Sequence, residues 1–252
     1  MKKQWKKWAF RIIFTACFFV GLLITFMLNP LLLYANKTVI GRFRIYHNAP
    51  LNKRFPSILS QSDHIVRSSE LYDPKLAIEL CLKDGSDYPA LIERALGKDL
   101  LSSFYNKIIF TGDTVNFDNN FIGWNGHHWN LVQMLAHAQV HCLEFNWYGL
   151  FQANPIGKHP DWKWEGYPEY IARQPKNLQH GIDLLLAAEN RNQGWIKLPD
   201  GTETITIFQE YLTLVQYCME VKKMHFEELL ADKTPKEMIR RQMIDWYHKN
   251  PN

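Results

Sequence analysis

The chain opens on a segment that is apolar on every side: Ile12 to Leu28 carries no charge, and Leu31 to Tyr34 extends the run past Asn29-Pro30. A stretch of this length predicts a bilayer-spanning helix. Beyond it the pattern changes. Thr38 to Tyr46 alternates, with Val39, Phe43 and Ile45 on one parity and Arg42 and Arg44 on the other, which predicts one half-buried strand. Leu76–Leu82 and Lys107–Thr111 read as further strands, Pro56–Leu71 and Tyr88–Leu96 as helices, and the polar, Gly/Asn/Asp-rich Gly112–Gly126 as loop. From Trp129 onward helices are predicted over Trp129–Trp147, Trp164–Arg173, Leu178–Asn190, Ile205–Met224 and Pro235–His248. Thr234-Pro235-Lys236-Glu237 supplies the last of these with an N-cap threonine, a proline at the first helical position and a glutamate placed for a capping box. Strands first and helices afterwards define an α+β domain of about 215 residues, with no internal repeat and no Gly/Ser-rich linker.

Composition, 46% hydrophobic and 21% charged, excludes a disordered chain and a small disulfide-stapled module. The net charge of +4 suggests a nucleic-acid partner until it is located. Lys2, Lys3, Lys6, Lys7 and Arg11 hold the excess, with no acid among the first eleven residues, and the rest of the chain is close to neutral. No bulk attraction to phosphate backbones remains, so no nucleic-acid partner is expected. The only small-x-small cleavage candidate is Leu33-Tyr34-Ala35, where leucine stands in place of a smaller residue, so the segment reads as an uncleaved signal anchor. Trp5 and Trp8 beside the lysines fit an interfacial aromatic belt. The positive-inside rule then predicts residues 1–11 as a cytoplasmic basic tail, 12–34 as a single-pass anchor in the cytoplasmic membrane, and 35–252 as an extracytoplasmic domain. Cys81, Cys142 and Cys218 lie outside the anchor, an odd number without CxxC spacing, which favours buried free thiols over one disulfide plus one thiol.

The chemistry-bearing segment is Leu135-Ala136-His137-Ala138-Gln139-Val140-His141-Cys142-Leu143-Glu144. At about 100° per residue, His137 and His141 leave one helix face a turn apart, and Glu144 joins that face at its end. Val132, Ala136, Val140, Leu143 and Trp147 flank this stripe on one side and Leu131, Leu135 and Cys142 on the other, so the helix is expected to be buried on both flanks. Imidazole is the commonest metal ligand, and an i,i+4 pair offers two nitrogens that one tetrahedral zinc can bridge. Spacing alone also suits two core or surface histidines. Glu144 reads as a surface acid at a helix end. His127, His128 and His159 are within chain reach of the site but read as surface histidines, and Tyr211 and Tyr217 are oxyanion-side donors by type but read as core.

The next helical segment, Asp161-Trp162-Lys163-Trp164-Glu165-Gly166-Tyr167-Pro168-Glu169-Tyr170-Ile171-Ala172, changes that weighing. Together with the histidine pair, its Trp-x-x-Glu-Gly-x-x-Glu-Tyr-Ile-Ala run resembles the gluzincin, thermolysin-like zinc metallopeptidases, and within that clan an uncharacterised group of membrane-anchored bacterial proteins. The resemblance covers residues 131–173 and implies a zincin-like domain with a small sheet and a mainly helical C-terminal half. It implies one zinc ion held by His137, His141 and Glu165, with Glu169 orienting a ligating histidine.

One departure limits what the resemblance implies. In HExxH the residue after the first histidine is the glutamate that takes a proton from the attacking water, and here that position is Ala138. Gln139 does not replace it, lying about 100° further round the helix and carrying an amide. Three readings follow: a zinc-holding metallopeptidase-like protein with lost or impaired catalysis that binds a peptide or protein ligand, an active zinc hydrolase with a non-standard base, and a metal-free scaffold. The aromatic-rich stretch Trp124 to Trp164 suits a cleft lining or a core, and Phe145 to Phe151 is a candidate membrane contact.

Overall fold

We analysed a computed structural model of the chain, which describes residues 2–250, the side chains of residues 2–6, 9, 27 and 96 excepted. Helix α1 (Lys2–Leu28) is followed by a short 3-10 turn at Pro30–Leu33. Its 27 residues extend about 40 Å, and Phe10, Ile13, Phe14, Phe18 and Phe19 are each at least 60% exposed. Among the described residues no helix is long and apolar enough to cross a membrane. The side chains of Lys2, Lys3, Trp5 and Lys6, on which much of the expected charge bias and aromatic belt rests, lie outside the described residues.

The alternating segment after α1 is a hairpin rather than one strand. Strands β1 (Asn36–Ile40) and β2 (Phe43–His47) pair antiparallel about Gly41, whose φ of +57° suits a residue without Cβ. Helix α2 (Phe55–Val66), strand β3 (Ile78–Cys81), helix α3 (Tyr88–Leu96) and strands β4 (Leu101–Phe104) and β5 (Lys107–Phe110) complete a five-stranded mixed sheet of order β1-β2-β3-β5-β4. Strand β4 was not legible as a strand, since Leu101-Ser102-Ser103-Phe104 is too short to alternate convincingly. It runs antiparallel to β5 and forms the sheet edge.

The segment expected to be loop instead holds β6 (Thr114–Asn116) and β7 (Phe121–Trp124), which with β8 (His127–Asn130) form a second, three-stranded sheet. Its strands are three or four residues long and joined by Asn- and Gly-rich turns, so turn composition masks them. Helix α4 (Leu131–Tyr148) therefore starts two residues later than predicted, capped by Asn130, whose side chain accepts from the Gln133 N–H. Helix α6 (Gly166–Arg173) takes up the predicted Trp164–Arg173 helix, a separate short helix α5 (Asp161–Trp164) precedes it, and α7 (Leu178–Asn190) matches its prediction with an Asn177 cap. Strands β9 (Trp195–Lys197) and β10 (Glu203–Ile205) form a small hairpin ahead of α8 (Thr206–Gln216), which ends in a π turn over Tyr217–Val221. Helices α9 (Phe226–Ala231) and α10 (Lys236–Lys249) close the chain. The expected Thr234 cap is not made, because its N–H and hydroxyl both turn back to Asp232. The capping box belongs instead to His225 and Glu228 at the start of α9.

Helix α4 lies between two apolar cores. Ala136, Val140 and Leu143 enter the helical one with Tyr167, Ile171 and Leu214. Leu131, Leu135 and Cys142 enter the other, against Ile45, Leu80 and Ile108 of the large sheet, and Val132 joins them there rather than its predicted flank. Trp147 leaves the core altogether, 57% exposed with its indole N–H donating to Glu227. Gln139, fully buried, accepts from Arg42 at 2.8 Å and donates to Ser62 at 2.9 Å, so its amide joins α4 to α2 and the β1–β2 turn. Cys81, Cys142 and Cys218 are buried free thiols.

Candidate metal centre

Burial of both flanks of α4 leaves one stripe for polar groups, and His137 and His141 occupy it. The chain then loops through residues 149–160 and returns with Glu165 at the junction of α5 and α6. A Cβ at Gly166 would lie 2.7 Å from Val215 Cγ2 and 2.8 Å from the Tyr211 carbonyl oxygen, so only glycine lets α6 approach α8 this closely. Substitution Gly166→Ala is expected to destabilise by about 1–3 kcal/mol, read from the urea midpoint of metal-free protein. An unchanged midpoint would show that α6 yields freely.

The three groups converge. Nε2 of His137 and Nε2 of His141 are 3.0 Å apart, and Glu165 Oε2 lies 3.5 Å from the first and 3.2 Å from the second. Tetrahedral zinc with ligands at about 2.0–2.1 Å separates them by about 3.3 Å, so the spacing suits one shared ion. The far nitrogens are held as well. Nδ1 of His137 lies 2.9 Å from Glu169 Oε1, an ion-pair distance off the line of an ideal hydrogen bond, and Arg173 Nε stands 2.7 Å from Glu169 Oε2. Nδ1 of His141 lies 2.7 Å from Glu144 Oε2. A carboxylate stands beside Nδ1 of each ring, and in the neutral Nδ1–H tautomers both Nε2 lone pairs would face the same point as the Glu165 oxygen. Such a cluster is held together by a positive charge, supplied by protons on the rings or by a metal ion. His137, His141 and Glu165 could therefore hold one metal ion, and a divalent ion there would supply Lewis acidity toward a carbonyl oxygen.

Glu144 corrects the sequence reading, because it is fully buried rather than a surface acid. The signal that could have found it is the i,i+3 step from His141 on a helix expected to be buried on both flanks. His127 pairs with Glu203 at 2.8 Å and stacks on Trp195, away from the triad. His128 is exposed against Phe121. His159 lines the cleft, stacked on Trp164 with Nε2 2.8 Å from the Gln152 carbonyl oxygen. Tyr217 packs on Trp246, Lys236 lies over the Tyr211 ring, and neither tyrosine borders the cleft.

Electrostatics follow from this geometry. Burial disfavours charge on His141, but Glu165 and Glu144 outweigh it and raise its pKa well above the ordinary imidazole value. At His137 burial is likewise outweighed by Glu165 and Glu169, and the value rises. Burial alone would raise Glu165, but His141 and His137 hold it well below the usual carboxylate range. Burial of Glu169 is overcome by Arg173 and His137, so its value falls. Burial pushes Glu144 up to about 7 against the pull of His141. In metal-free protein the raised His141 contributes stability that is complete below about 6.5 and lost as pH rises through its folded value, and Glu144 acts in the same direction. The lowered Glu165 contributes above about 4.5 and loses that contribution on acidification. Thermal melts in chelator are therefore expected to show Tm falling from about pH 6 to about pH 8. A rise over that interval would contradict the network.

A cleft of about 700 Å³ opens over the triad, with Leu101, Phe104, Trp124, Trp164, Ile156 and Phe208 in its walls and Asp99, Lys158 and Asp161 among its polar groups. Ser103 of the edge strand β4 lines it and donates to the Ala138 carbonyl oxygen at 3.3 Å, fastening the strand beside the histidine helix. Asp99, two residues before β4, is exposed at the cleft, and desolvation on its protein side raises its carboxyl against the pull of the Leu100 N–H and His137. Comparison with known protein families, curated proteins and solved structures finds no match for the chain.

Proposed function

We propose that this chain is a membrane-anchored, zinc-holding metallopeptidase-like protein with lost or strongly impaired hydrolytic activity, which binds a peptide or protein segment outside the cytoplasmic membrane. The observation that carries the reading is the convergence of His137 Nε2, His141 Nε2 and Glu165 Oε2 within 4.8 Å, each imidazole backed by a buried carboxylate. That donor set is borderline-soft and suits zinc over magnesium or calcium. The likeness of residues 131–173 to the gluzincin pattern supplies the peptidase-like class. Impairment rests on Ala138, since general-base assistance is worth about 10²–10⁴ in rate. An edge strand bordering an apolar-walled cleft suits an extended peptide, whose backbone can add to the sheet while its side chains meet the walls.

The anchor belongs to the same proposal. Residues 12–34 hold the chain in the cytoplasmic membrane, residues 1–11 remain in the cytoplasm, and residues 35–252 lie outside. It is supported by the exposed apolar side chains of α1, left uncovered among the described residues, and by the basic residues that precede them.

A second reading, an active zinc hydrolase with a different base, is favoured by Asp99, a cleft carboxyl with a raised value. Metal analysis of the detergent-solubilised full chain, wild type against His141→Ala, tests the shared core of both readings. One zinc per wild-type chain and none in the variant is expected; equal zinc in the two would refute this site, and no zinc in the wild type would leave the metal-free scaffold. Chelator-sensitive peptide hydrolysis by wild type that Asp99→Asn abolishes would select the second reading over the first.

A further inference from the structure

Glu144 is the buried charge that the candidate ligand set does not account for. Its side chain has no exposure, a position in which a carboxylate is destabilising unless its oxygens are matched. Glu169 is matched, with His137 on one oxygen and Arg173 on the other. Glu144 has no lysine or arginine at ion-pair distance among the described residues, and its Oε1 has no hydrogen-bond partner. Tyr148, one turn on along α4, also has a hydroxyl without a hydrogen-bond partner, so it does not serve Oε1. Its contact with Nδ1 of His141, at 2.7 Å, is thus the interaction that holds it in place. That nitrogen is the one facing away from Glu165, while the opposite ring nitrogen faces it at 3.2 Å.

Resting on the metal site proposed above, we infer that Glu144 is a positioning residue for His141: its carboxylate accepts the hydrogen bond of Nδ1–H, fixes the ring's tautomer and rotation, and so commits Nε2 to the metal. Glu169, itself held by Arg173, does the same for His137 from a different helix. The two histidines of one helix are thereby aimed by two independent carboxylates, one three residues along their own helix and one across the interface with α6. A ring free to rotate about its χ2 would present either nitrogen, and Glu144 removes that choice.

Zinc affinity of the detergent-solubilised full chain, measured by competition with a chromogenic chelator, tests this in wild type, Glu144→Leu and Glu144→Ala. Two apolar variants are used so that one folded protein suffices. Weakening by about 10–100-fold is expected, with metal-free Tm unchanged or raised, because a buried, half-satisfied carboxyl is removed. A merely structural role for Glu144 predicts the reverse, a lower metal-free Tm with unchanged affinity, and that result overturns the inference. Nitrogen-15 spectra of labelled histidine in metal-free protein, at a pH where the ring is neutral, supply a readout independent of affinity: His141 should be a single Nδ1–H tautomer in the wild type and a mixture in the variants. A single Nδ1–H tautomer in the variants would also overturn it. Failure of wild type itself to take up zinc would overturn the metal site, and this role with it. Wild-type uptake with equal affinity in the variants would overturn the role of Glu144 alone.

Discussion

Zinc added to the metal-free protein is expected to raise its Tm by about 5–11 °C at a free concentration one hundred times the Kd. The figure follows from linkage, which gives about 2.7 kcal/mol at that ratio, and from about 2–4 °C per kcal/mol for a domain of this size. The physical origin is local. Without a metal, two imidazoles and a carboxylate crowd one point, with their nitrogens and oxygen 3.0–3.5 Å apart, and only protons relieve the repulsion of their lone pairs. A dication replaces those protons, so uptake should release them and strengthen as pH rises. His137→Ala, His141→Ala and Glu165→Ala should each abolish the shift, since a single remaining pair of donors is a weak site. Differential scanning fluorimetry in chelator and in buffered zinc checks this. A wild-type Tm indifferent to zinc would remove the metal centre and leave a hydrogen-bonded core cluster.

The second large effect is catalytic. Introducing the missing base by Ala138→Glu is expected to raise zinc-dependent hydrolysis of an apolar, internally quenched peptide by about 10²–10⁴. Ala138 borders the cleft, and its remaining surroundings are filled: it is 1% exposed and belongs to the apolar cluster that includes Leu135 and Cys142. A longer side chain must therefore extend toward the cleft, where the Nε2 atoms of His137 and His141 face Glu165. The added volume should lower stability by about 1–3 kcal/mol, to be measured alongside so that rate and folding are separated. Initial rates with and without chelator provide the test. Equal chelator-sensitive rates in wild type and variant would mean that another group already serves as the base, and Asp99→Asn then identifies or eliminates that carboxyl.

How much of this was legible beforehand differs between the two halves of the site. His137 and His141 were readable because helical periodicity alone puts i and i+4 on one face, and Glu165 because its surrounding run resembles a known glutamate helix. Glu144 was misread for a related reason. Periodicity placed it correctly beside His141, but the solvent exposure of a helix end depends on what packs there, and the core formed with Tyr167 and Phe226 is assembled from distant segments. Arg173 went unremarked because its value depends on Glu169 being buried. Of the short strands, β3 and β5 were legible as apolar runs, but β4, β6, β7, β9 and β10, with three or four residues each, were too short to establish a period against the turn residues around them.

What the amino-acid sequence determined by itself is whatever depends on neighbours along the chain. That includes the charge asymmetry about residues 12–28, the α+β order of elements, the shared face of the two histidines and the absence of a base at Ala138. Tertiary structure decided the rest. It brought Glu165 from beyond a loop to within 3.5 Å of both imidazoles, buried Glu144 and Glu169 behind the two Nδ1 atoms, and set the edge strand beside Ala138. The physical reason is that a helix fixes direction through its own backbone bonds, whereas distance and burial are set by the side chains of other elements.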